Sequence, residues 1–324
     1  MTGRRSPLAT ERGVALLSAL FTVALLTVVV IEMTDATLVH THLTRNAGNA
    51  MAAQLLARSA ALAGEALVAN DDTNPPGVTC RQNPWALPLF GIPAGSGTVG
   101  LQVSDEAGKL DLNSVRDERY RKAAESLFQS LEIDPSLVER IATWITPAGD
   151  PAMATGGGSD YCALDMSCTP RQQPLQSLEE LLLIRGFDER TLVRLRPYAT
   201  AVPRPDGKLG QPQSLNPLTA EPYVLAAIGC ESNSPPPDCP SSFANDEAKK
   251  EWQKEFDEWK ASSCTADAQR MLKTQSNLYA IFASGTVGDV TQRLRTTVLR
   301  SGDRVDRLWW QESRLTEGAP VEVR

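Results

Sequence analysis

An uncharged run over residues 14–31 constrains this chain more than any other feature of its sequence. In a helix, a run of that length rises about 27 Å, close to the thickness of the hydrocarbon core of a bilayer. Arg4, Arg5 and Arg12 precede the run, and no Lys or Arg follows it before Arg45. Because positive charge is retained on the cytoplasmic side of a membrane, the sequence predicts one spanning helix with the remainder of the chain exported.

The apolar run is longer than that of an ordinary cleaved signal peptide, and the helical pattern continues beyond it. Residues 32–69 contain no proline, and their apolar side chains recur at spacings of three and four, as in an amphipathic helix. Two prolines within residues 70–76 end the pattern, since proline cannot continue a helix. We therefore predict one helix over residues 14–69, half of it in lipid and half packed on a soluble domain.

The composition indicates a folded protein in an oxidising compartment. The chain is 42% hydrophobic and 22% charged, with a formal net charge of −7. A general basic surface for nucleic acid is not expected, because such binding needs many Lys and Arg side chains. Six cysteines behind an export-like start favour disulfides. The close spacings of Cys162 with Cys168 and of Cys230 with Cys239 predict local pairs, and unrelated free thiols are the alternative.

Alternation of apolar and polar residues predicts strands in two regions. Residues 101–115 have the pattern of a β-hairpin, with a Glu-Ala-Gly-Lys turn between two alternating segments. Residues 278–310 alternate again on both sides of a Ser-Gly-Asp turn, which predicts an antiparallel meander. Alternating arginines in this region are interpreted as a solvated sheet face; they are Arg293, Arg295, Arg300, Arg304 and Arg307.

Residues 117–200 are predicted to be helical, with one helix that ends at Gly186 and another that follows it. These two predicted helices and the turn between them are similar to a helix-hairpin-helix, which in other proteins binds DNA phosphates through backbone amides. A DNA-binding turn requires small and basic residues, whereas this turn contains Phe187, Asp188 and Glu189. A helical lobe that faces other proteins is therefore favoured over DNA binding.

A further helix is predicted within residues 231–264, between cysteines. Trp252, Phe256 and Trp259 share one face of it, at spacings of four and three. A surface helix docked by its aromatic side chains is the favoured interpretation, and an aromatic contact surface for a partner is the alternative.

No catalytic motif is present in the sequence. His40 and His42 lie on the predicted long helix without a third metal ligand nearby. The chain has no G-x-S-x-G, no Gly-rich phosphate loop and no H-E-x-x-H. The prediction is that the protein is not an enzyme.

The short basic leader that ends in Gly13 resembles the class III signal of type IV pilins and type II secretion pseudopilins. In that family prepilin peptidase cleaves after the glycine, which implies cleavage between Gly13 and Val14 and N-methylation of Val14. Most pilins carry Glu at the fifth mature position, which is Ser18 here. Its loss is typical of the K-type minor pseudopilin of type II (general) secretion systems, the GspK family. A glutamate in lipid is costly without a partner, and a tip subunit has no neighbour above it.

Other stretches are similar to the same family. "DEAGKLDLN" at 105–113 resembles its D-E-x-G-K-I-N-L-N motif, with Asp111 in place of the usual Asn, and "LNPLTA" at 215–220 resembles another family stretch. The resemblance implies an α+β fold in which a pilin-like long N-terminal helix packs on an antiparallel sheet. A large all-helical domain, SAM-like or helix-hairpin-helix-like, is inserted into that sheet.

The implied domains follow from this resemblance. They are a cleaved leader (1–13), the transmembrane section (14–33) and soluble section (34–69) of the N-terminal helix, the first segment of the pilin fold (70–113), the inserted helical domain (114–213), and the second segment of the pilin fold (214–324) with a Cys-flanked helical insertion at about 231–264.

The glycine-rich, acidic loop at 147–170 is a candidate calcium site, with Asp150, Asp160 and Asp165 as carboxylate ligands. The resemblance implies calcium in some family members, and no other cofactor. A solvated loop held by a disulfide is the alternative.

The resemblance implies a minor pseudopilin at the tip of the type II secretion pseudopilus, which primes filament assembly and helps export folded proteins across the outer membrane. Its implied partners are the I-type and J-type minor pseudopilins, the major pseudopilin and prepilin peptidase, with no nucleic acid expected. The implied location is the bacterial inner membrane, crossed once, with the C-terminal portion in the periplasm. The alternatives are a membrane-anchored helix-hairpin-helix DNA-binding protein of DNA uptake and a minor pilin of a type IV pilus.

Overall fold

The longest element of the protein is helix α1, Leu8–Ala69, which confirms the single long helix predicted from the sequence. It begins ahead of the predicted start and ends at the predicted place, where the Asn70 side chain donates a hydrogen bond to the Ala66 carbonyl oxygen at 2.7 Å. The computed structural model describes residues 8–70, 77–147, 171–202, 213–239, 243–302 and 304–315.

Shorter helices and strands follow α1 along the described residues. The helices are α2 (Glu118–Ser130), α3 (Leu137–Ile145), α4 (Glu189–Leu195), α5 (Pro222–Ile228), α6 (Asp246–Ser263) and α7 (Ala266–Met271). The strands are β1 (Leu89–Ala94), β2 (Gly97–Asp105), β3 (Leu110–Asp111), β4 (Ala199–Thr200), β5 (Leu278–Val287), β6 (Val290–Ser301) and β7 (Arg304–Leu315).

Five strands form one antiparallel sheet in the order β1-β2-β5-β6-β7. The C-terminal meander predicted from alternation is confirmed as β5, β6 and β7, and its first turn contains Gly288 with a φ of +56°. β5 pairs with β2, with Val103 opposite Ile281. The sheet thus combines two segments of the chain, β1–β2 and β5–β7, which are separated in sequence by helices α2–α7.

The predicted β-hairpin over residues 101–115 is wrong. β2 ends at Asp105, a 3-10 turn over Glu106–Gly108 redirects the chain, and β3 pairs in parallel with β4. The Asp105 carboxylate accepts a hydrogen bond from the Ala107 N–H at 2.8 Å. This bond stabilises the 3-10 turn, which directs the chain away from β2, so the chain does not return beside β2 as a hairpin strand. The hairpin partner of β2 is β1, on its other side.

The C-terminal half of α1 lies on the sheet through small residues. Ala53, Ala57 and Ala61 are buried. On β5, a Cβ atom at Gly285 would lie 2.2 Å from the Ala53 carbonyl oxygen, so only glycine fits there. Larger side chains complete the core toward the C-terminal end of α1; they are Val68, Trp85, Leu101, Val103, Tyr279, Ile281 and Val298.

The described segments between β2 and β5 surround a second core, and we call the described residues from 110 to 272 the helical lobe. Phe128 on α2, Ile141 on α3 and Leu192 on α4 are fully buried in it. Val224 on α5 and Met271 on α7 pack in the same core. The described residues of 215–272, which the domain prediction assigned to the second segment of the pilin fold, contribute side chains to this second core.

The segment before Gly186 is a 3-10 helix, Leu178–Leu183, where an α-helix was predicted. At its start the Glu180 carboxylate accepts a hydrogen bond from the Gln176 N–H at 3.3 Å, and the Ser177 side chain makes no capping hydrogen bond. Gly186 then turns the chain with a φ of +101°.

The predicted aromatic helix of the insertion is confirmed as α6. Trp252, Phe256 and Trp259 are buried on one face. The indole N–H of Trp252 donates to the Asp238 carbonyl oxygen at 3.0 Å, and that of Trp259 donates to the Ser234 carbonyl oxygen at 2.9 Å. The proline-rich stretch before α6 is therefore fixed across the aromatic face.

The predicted local pair of Cys230 with Cys239 is wrong. Cys230 is disulfide-bonded to Cys264, with Cα atoms 4.0 Å apart, and Cys239 is bonded to Cys80, with Cα atoms 6.2 Å apart. Cys230 lies two residues after the end of α5 and forms an antiparallel bridge with Cys264 at the end of α6, so the two sulfur atoms are adjacent in the fold. Cys162 and Cys168, the other predicted pair, lie outside the described residues.

Removal of the Cys230–Cys264 disulfide should release the start and end of the insertion from one another. In a Cys230→Ser, Cys264→Ser double variant we expect the free energy of unfolding to fall by about 2–4 kcal/mol, because the unfolded chain regains the freedom of an open loop. Urea unfolding of the detergent-solubilised protein measures this loss. An unfolding midpoint equal to that of the unmodified protein would contradict the prediction.

Candidate functional site: the exposed helix and its attachment to the sheet

The N-terminal half of α1 is exposed. Residues 14–48 have no buried side chain, and large apolar residues among them, such as Leu16 and Phe21, are 70% and 69% exposed. Among the described residues, α1 is the one helix long and apolar enough to cross a membrane, with a mean hydropathy of 2.8 in its most apolar window. The structure thus supports the predicted single-pass anchor by length and composition.

Polar side chains in this half satisfy their hydrogen-bonding groups within the helix. The Ser18 hydroxyl donates to the Ala15 carbonyl oxygen at 2.9 Å, and the Thr22 hydroxyl donates to the Ser18 carbonyl oxygen at 2.8 Å. A hydroxyl group without a partner is costly in lipid, so these bonds suit a membrane environment. The predicted cleavage between Gly13 and Val14 falls inside α1, with the Val14 side chain exposed; the cleavage itself stays a prediction.

Two ion pairs hold α1 against β7, the edge strand of the sheet. Arg58 donates two hydrogen bonds to Glu312, at 2.8 and 3.2 Å. About two turns further along α1, Glu65 accepts two hydrogen bonds from Arg307, whose guanidinium lies 4.9 Å from the ring centre of Trp310. Paired guanidinium and carboxylate groups fix orientation as well as distance, so they set the rotation of α1 on the sheet.

The first of these pairs changes the acidity of its carboxylate. Hydrogen bonds from Arg58 lower the pKa of Glu312 from 4.5 to about 2, and bonds from Gln54 and Trp310 add to this effect against partial burial. The charged form of Glu312 is therefore favoured by the folded state.

A buried polar cluster joins the sheet to the helical lobe. The Asp105 carboxylate, at the end of β2, accepts hydrogen bonds from Ser276 at 2.6 Å, Thr219 at 2.5 Å and Asn216 at 3.1 Å. Asn216 also donates to the Thr79 carbonyl oxygen at 2.9 Å. The two stretches that carried the family resemblance, 105–113 and 215–220, therefore meet at this junction.

Burial raises the pKa of Asp105, while hydrogen bonds from Ser276, Thr219 and the Ala107 N–H oppose the increase. Burial acts in the same direction on the neighbouring Glu106. The positive charges of Lys109 and Arg295 outweigh this effect of burial and hold the pKa of Glu106 below its ordinary value. The junction thus contains two adjacent buried carboxyl groups with opposite shifts.

Sequence reasoning missed the ion pairs and this junction. The alternating arginines suggested a solvated face, yet Arg307 binds Glu65 and Arg295 lies 3.6 Å from Glu179 of the lobe. Arg295 also lies over the rings of Phe282 and Trp309, 5.3 and 5.5 Å from their centres. No local sequence signal reveals such pairs, since their partners lie far away along the chain.

In the turn that resembles a helix-hairpin-helix, the side chains of Phe187 and Asp188 make contacts within this chain. Phe187 is buried and its ring lies 6.2 Å from that of Phe128. Asp188 caps α4 and accepts the Thr191 N–H at 2.7 Å. A backbone amide of the kind that would bind a DNA phosphate is thus already bonded to a carboxylate.

The candidate calcium ligands Asp150, Asp160 and Asp165 lie outside the described residues, so calcium stays a prediction. Within the ranges that the structure describes, no three His, Cys, Asp or Glu side chains are grouped in a way that could hold a metal ion. His40 and His42 are exposed on α1.

A long apolar helix packed on an antiparallel sheet, with a helical lobe between two of the strands, is a pilin-like α+β fold. Residues 108–204 match the family model described as type II secretion system (T2SS), protein K. This segment overlaps most of the predicted helical insertion.

Two curated proteins are similar to this chain. It is 24% identical over 214 residues to a type II secretion system protein K of Pectobacterium carotovorum subsp. carotovorum, and 24% identical over 205 residues to one of Klebsiella pneumoniae. These alignments cover 60% and 59% of this chain. The chain spans 63% of the length of each of these relatives.

A solved structure has the same fold. A chain in the crystal structure of the GspK-GspI-GspJ complex from enterotoxigenic Escherichia coli matches with a TM-score of 0.64 and 18% identity, over 85% of this chain and 99% of that chain. Together, the comparisons show that this chain is similar over part of its length to type II secretion system protein K, in agreement with the sequence resemblance to K-type minor pseudopilins.

The Arg58–Glu312 pair predicts a defined dependence of stability on pH. The pKa of Glu312 in the folded state lies below 4.5, so the pair stabilises the fold fully above that pH, and the contribution disappears as the pH falls toward about 2. Glu312→Gln should therefore lower the urea midpoint at neutral pH, and its difference from the unmodified protein should shrink in acid. A difference that stays constant with pH would contradict this, and Glu247→Gln, at an exposed site on α6, is the control.

The junction predicts a large loss of stability from one substitution. Asp105→Ala removes the acceptor of the buried Ser276 hydroxyl and of the partly buried Thr219 hydroxyl, so we expect the free energy of unfolding to fall by about 2–4 kcal/mol. Asp289→Ala, at an exposed turn, is the matched control. Thermal unfolding followed by circular dichroism measures both, and equal midpoints would refute the role of the cluster.

Proposed function

We propose that this protein is the K-type minor pseudopilin at the tip of a type II secretion pseudopilus. The observation that carries the proposal is the combination of an exposed apolar half of α1 with a helical lobe fixed to the opposite end of the soluble region. The exposed half supplies an anchor and an assembly surface, while the lobe adds bulk that a simple pilin sheet lacks. Bulk of this kind suits a subunit that ends a filament.

In this proposal the leader 1–13 is removed by prepilin peptidase after Gly13, and Val14 becomes the methylated N-terminus. The helix then spans the inner membrane once, and the sheet and lobe lie in the periplasm. Ser18 supports the position at the tip, because its hydroxyl is satisfied within its own helix and requires no neighbouring subunit. The disulfides Cys80–Cys239 and Cys230–Cys264 suit an oxidising compartment.

The expected partners are the I-type and J-type minor pseudopilins and the major pseudopilin of the same system. The similar solved chain comes from a complex of the Escherichia coli proteins GspK, GspI and GspJ, which supports the first two of these partners. The tip complex would prime assembly of the filament and help to export folded proteins across the outer membrane. No step in this role requires catalysis by the chain itself.

Co-expression tests the proposal. The tagged full chain, produced with the I-type and J-type pseudopilins of its own secretion system, should retain both through purification in mild detergent. Intact-mass measurement of the same sample should give a chain that begins at Val14 with one added methyl group. A tagged, unrelated single-span protein is the control.

Recovery of the chain without either pseudopilin would contradict the proposal. Retention of duplex DNA in a gel shift at low salt would favour the DNA-uptake alternative instead. We expect no such retention, because Asp188 already occupies the backbone amide of Thr191 at the turn.

A further inference from the structure

The sheet has a second face, turned away from α1, which we call the outer face. On β5, Gly285 lies directly against the α1 backbone. Because successive side chains of a strand point to opposite faces, its neighbour Ser284 and then Phe282 lie on the outer face. Phe282 is 37% exposed, so this face is open to solvent beside it.

The edge strand β1 contributes a second aromatic ring to the outer face. An added Cβ atom at Gly100 of β2 would lie 2.5 Å from the Ser284 hydroxyl oxygen and 3.3 Å from Cδ1 of Phe90. The Phe90 ring therefore lies over Gly100, on the same side of the sheet as Ser284. It remains 53% exposed, so it offers ring surface to a ligand.

A third ring, that of Trp309 on β7, lies on the same face. The guanidinium carbon of Arg295 is 5.3 Å from the ring centre of Phe282 and 5.5 Å from that of Trp309. One guanidinium group can contact both rings only if all three side chains share a face. Arg295 thus holds the two rings apart and in place.

The three rings form a straight, evenly spaced row across the sheet. The strand register places Phe90, Phe282 and Trp309 at the levels of Ser284, Phe282 itself and Ala280 along β5. Each step in the row crosses two strands and advances two residues, which corresponds to about 12 Å between Cα atoms. The short distances from Arg295 to both of its rings agree with this spacing.

The groups beside the rings are polar or positively charged. Gln102 lies opposite Phe282, and Gln311 lies opposite Arg295. Arg293 lies two residues from Arg295 on the same face of β6. The described outer-face positions of β2, β5 and β6 contain no carboxylate. This face therefore combines aromatic rings with amide and guanidinium donors, and its charge complements an anionic ligand.

A linear glycan has the chemistry that such a row recognises. The C–H face of a sugar ring packs on an aromatic ring, while its hydroxyl groups bind amide and guanidinium groups. The apolar faces of a linear glycan recur at a fixed interval, and a spacing of about 12 Å corresponds to about two linked sugar rings. A protein partner favours a contiguous apolar patch, whereas polar groups separate these rings. A nucleic acid strand would require more basic groups than Arg293 and Arg295.

We propose that the outer face binds a glycan strand of the bacterial cell wall, a linear polymer of sugar rings that carries acidic groups. Phe90, Phe282 and Trp309 stack on the sugar rings, and Arg293 attracts the acidic groups. The periplasmic position of the sheet rests on the proposed function. Binding of the isolated polymer depends on this face alone, so the two can be tested separately.

Co-sedimentation with purified cell-wall sacculi tests the row of rings. The full chain in mild detergent should sediment with the sacculi. Phe90→Leu and Phe282→Leu keep an apolar side chain but remove the flat ring, so each should weaken binding at least about fivefold with little change in unfolding temperature. Tyr223→Leu is the matched control, because Tyr223 is an aromatic residue of the lobe that is 51% exposed. This control should sediment like the unmodified chain.

Soluble glycan fragments test the spacing and the charge. A fragment of several disaccharide units reaches all three rings, so it should bind at least about tenfold more tightly than a single disaccharide unit. Arg293→Gln should weaken binding of the longer fragment and reduce the dependence of that binding on salt concentration.

Three results would overturn the proposal: equal affinity for short and long fragments, unchanged sedimentation of both leucine variants, or displacement of the sacculi by single-stranded DNA. Loss of the I-type or J-type pseudopilin from the leucine variants, with sedimentation unchanged, would assign the face to a protein partner instead. Each of these results leaves the proposed function standing. Failure of the unmodified chain to recover any pseudopilin would refute the proposed function without changing the result with the glycan.

Discussion

The close approach between α1 and the central strand β5 is the contact on which the rest of this structure depends. Gly285 leaves no room for a side chain beneath Ala53, so the helix backbone lies almost directly on the strand. The helix covers the face of the sheet at which the N-terminal and C-terminal segments meet. Because α1 also extends far beyond that sheet, one packing contact couples the anchor to the soluble fold.

The orientation of this contact is set by charge, and the lobe is attached by polar groups. Arg58 with Glu312 and Glu65 with Arg307 fix the rotation of α1, and that rotation decides which face of the exposed half is free. At the end of β2, Asp105 accepts hydrogen bonds from Asn216 and Thr219 on one segment and from Ser276 on another. Such a buried cluster is stable only when every member is satisfied, so it holds the lobe in one position.

Much of the fold could be predicted because the signals are local. The long helix follows from the absence of proline, and the last three strands follow from alternation. The aromatic face of α6 follows from the spacing of Trp252, Phe256 and Trp259. The hairpin at 101–115 was predicted wrongly for a physical reason. Its alternation is real, but the carboxylate of Asp105 closes a turn into the lobe, and the donors that make this favourable come from residues 216–276.

The sequence by itself determined the length of α1, the apolar run within it and the family resemblance, since each depends on residues close together along one helix or motif. The tertiary structure alone decided the disulfide partners of Cys80 and Cys239, the ion pairs to β7 and the pairing of β2 with β5. These features depend on which distant segments meet, and that is fixed by the packing of whole elements, which local patterns do not encode.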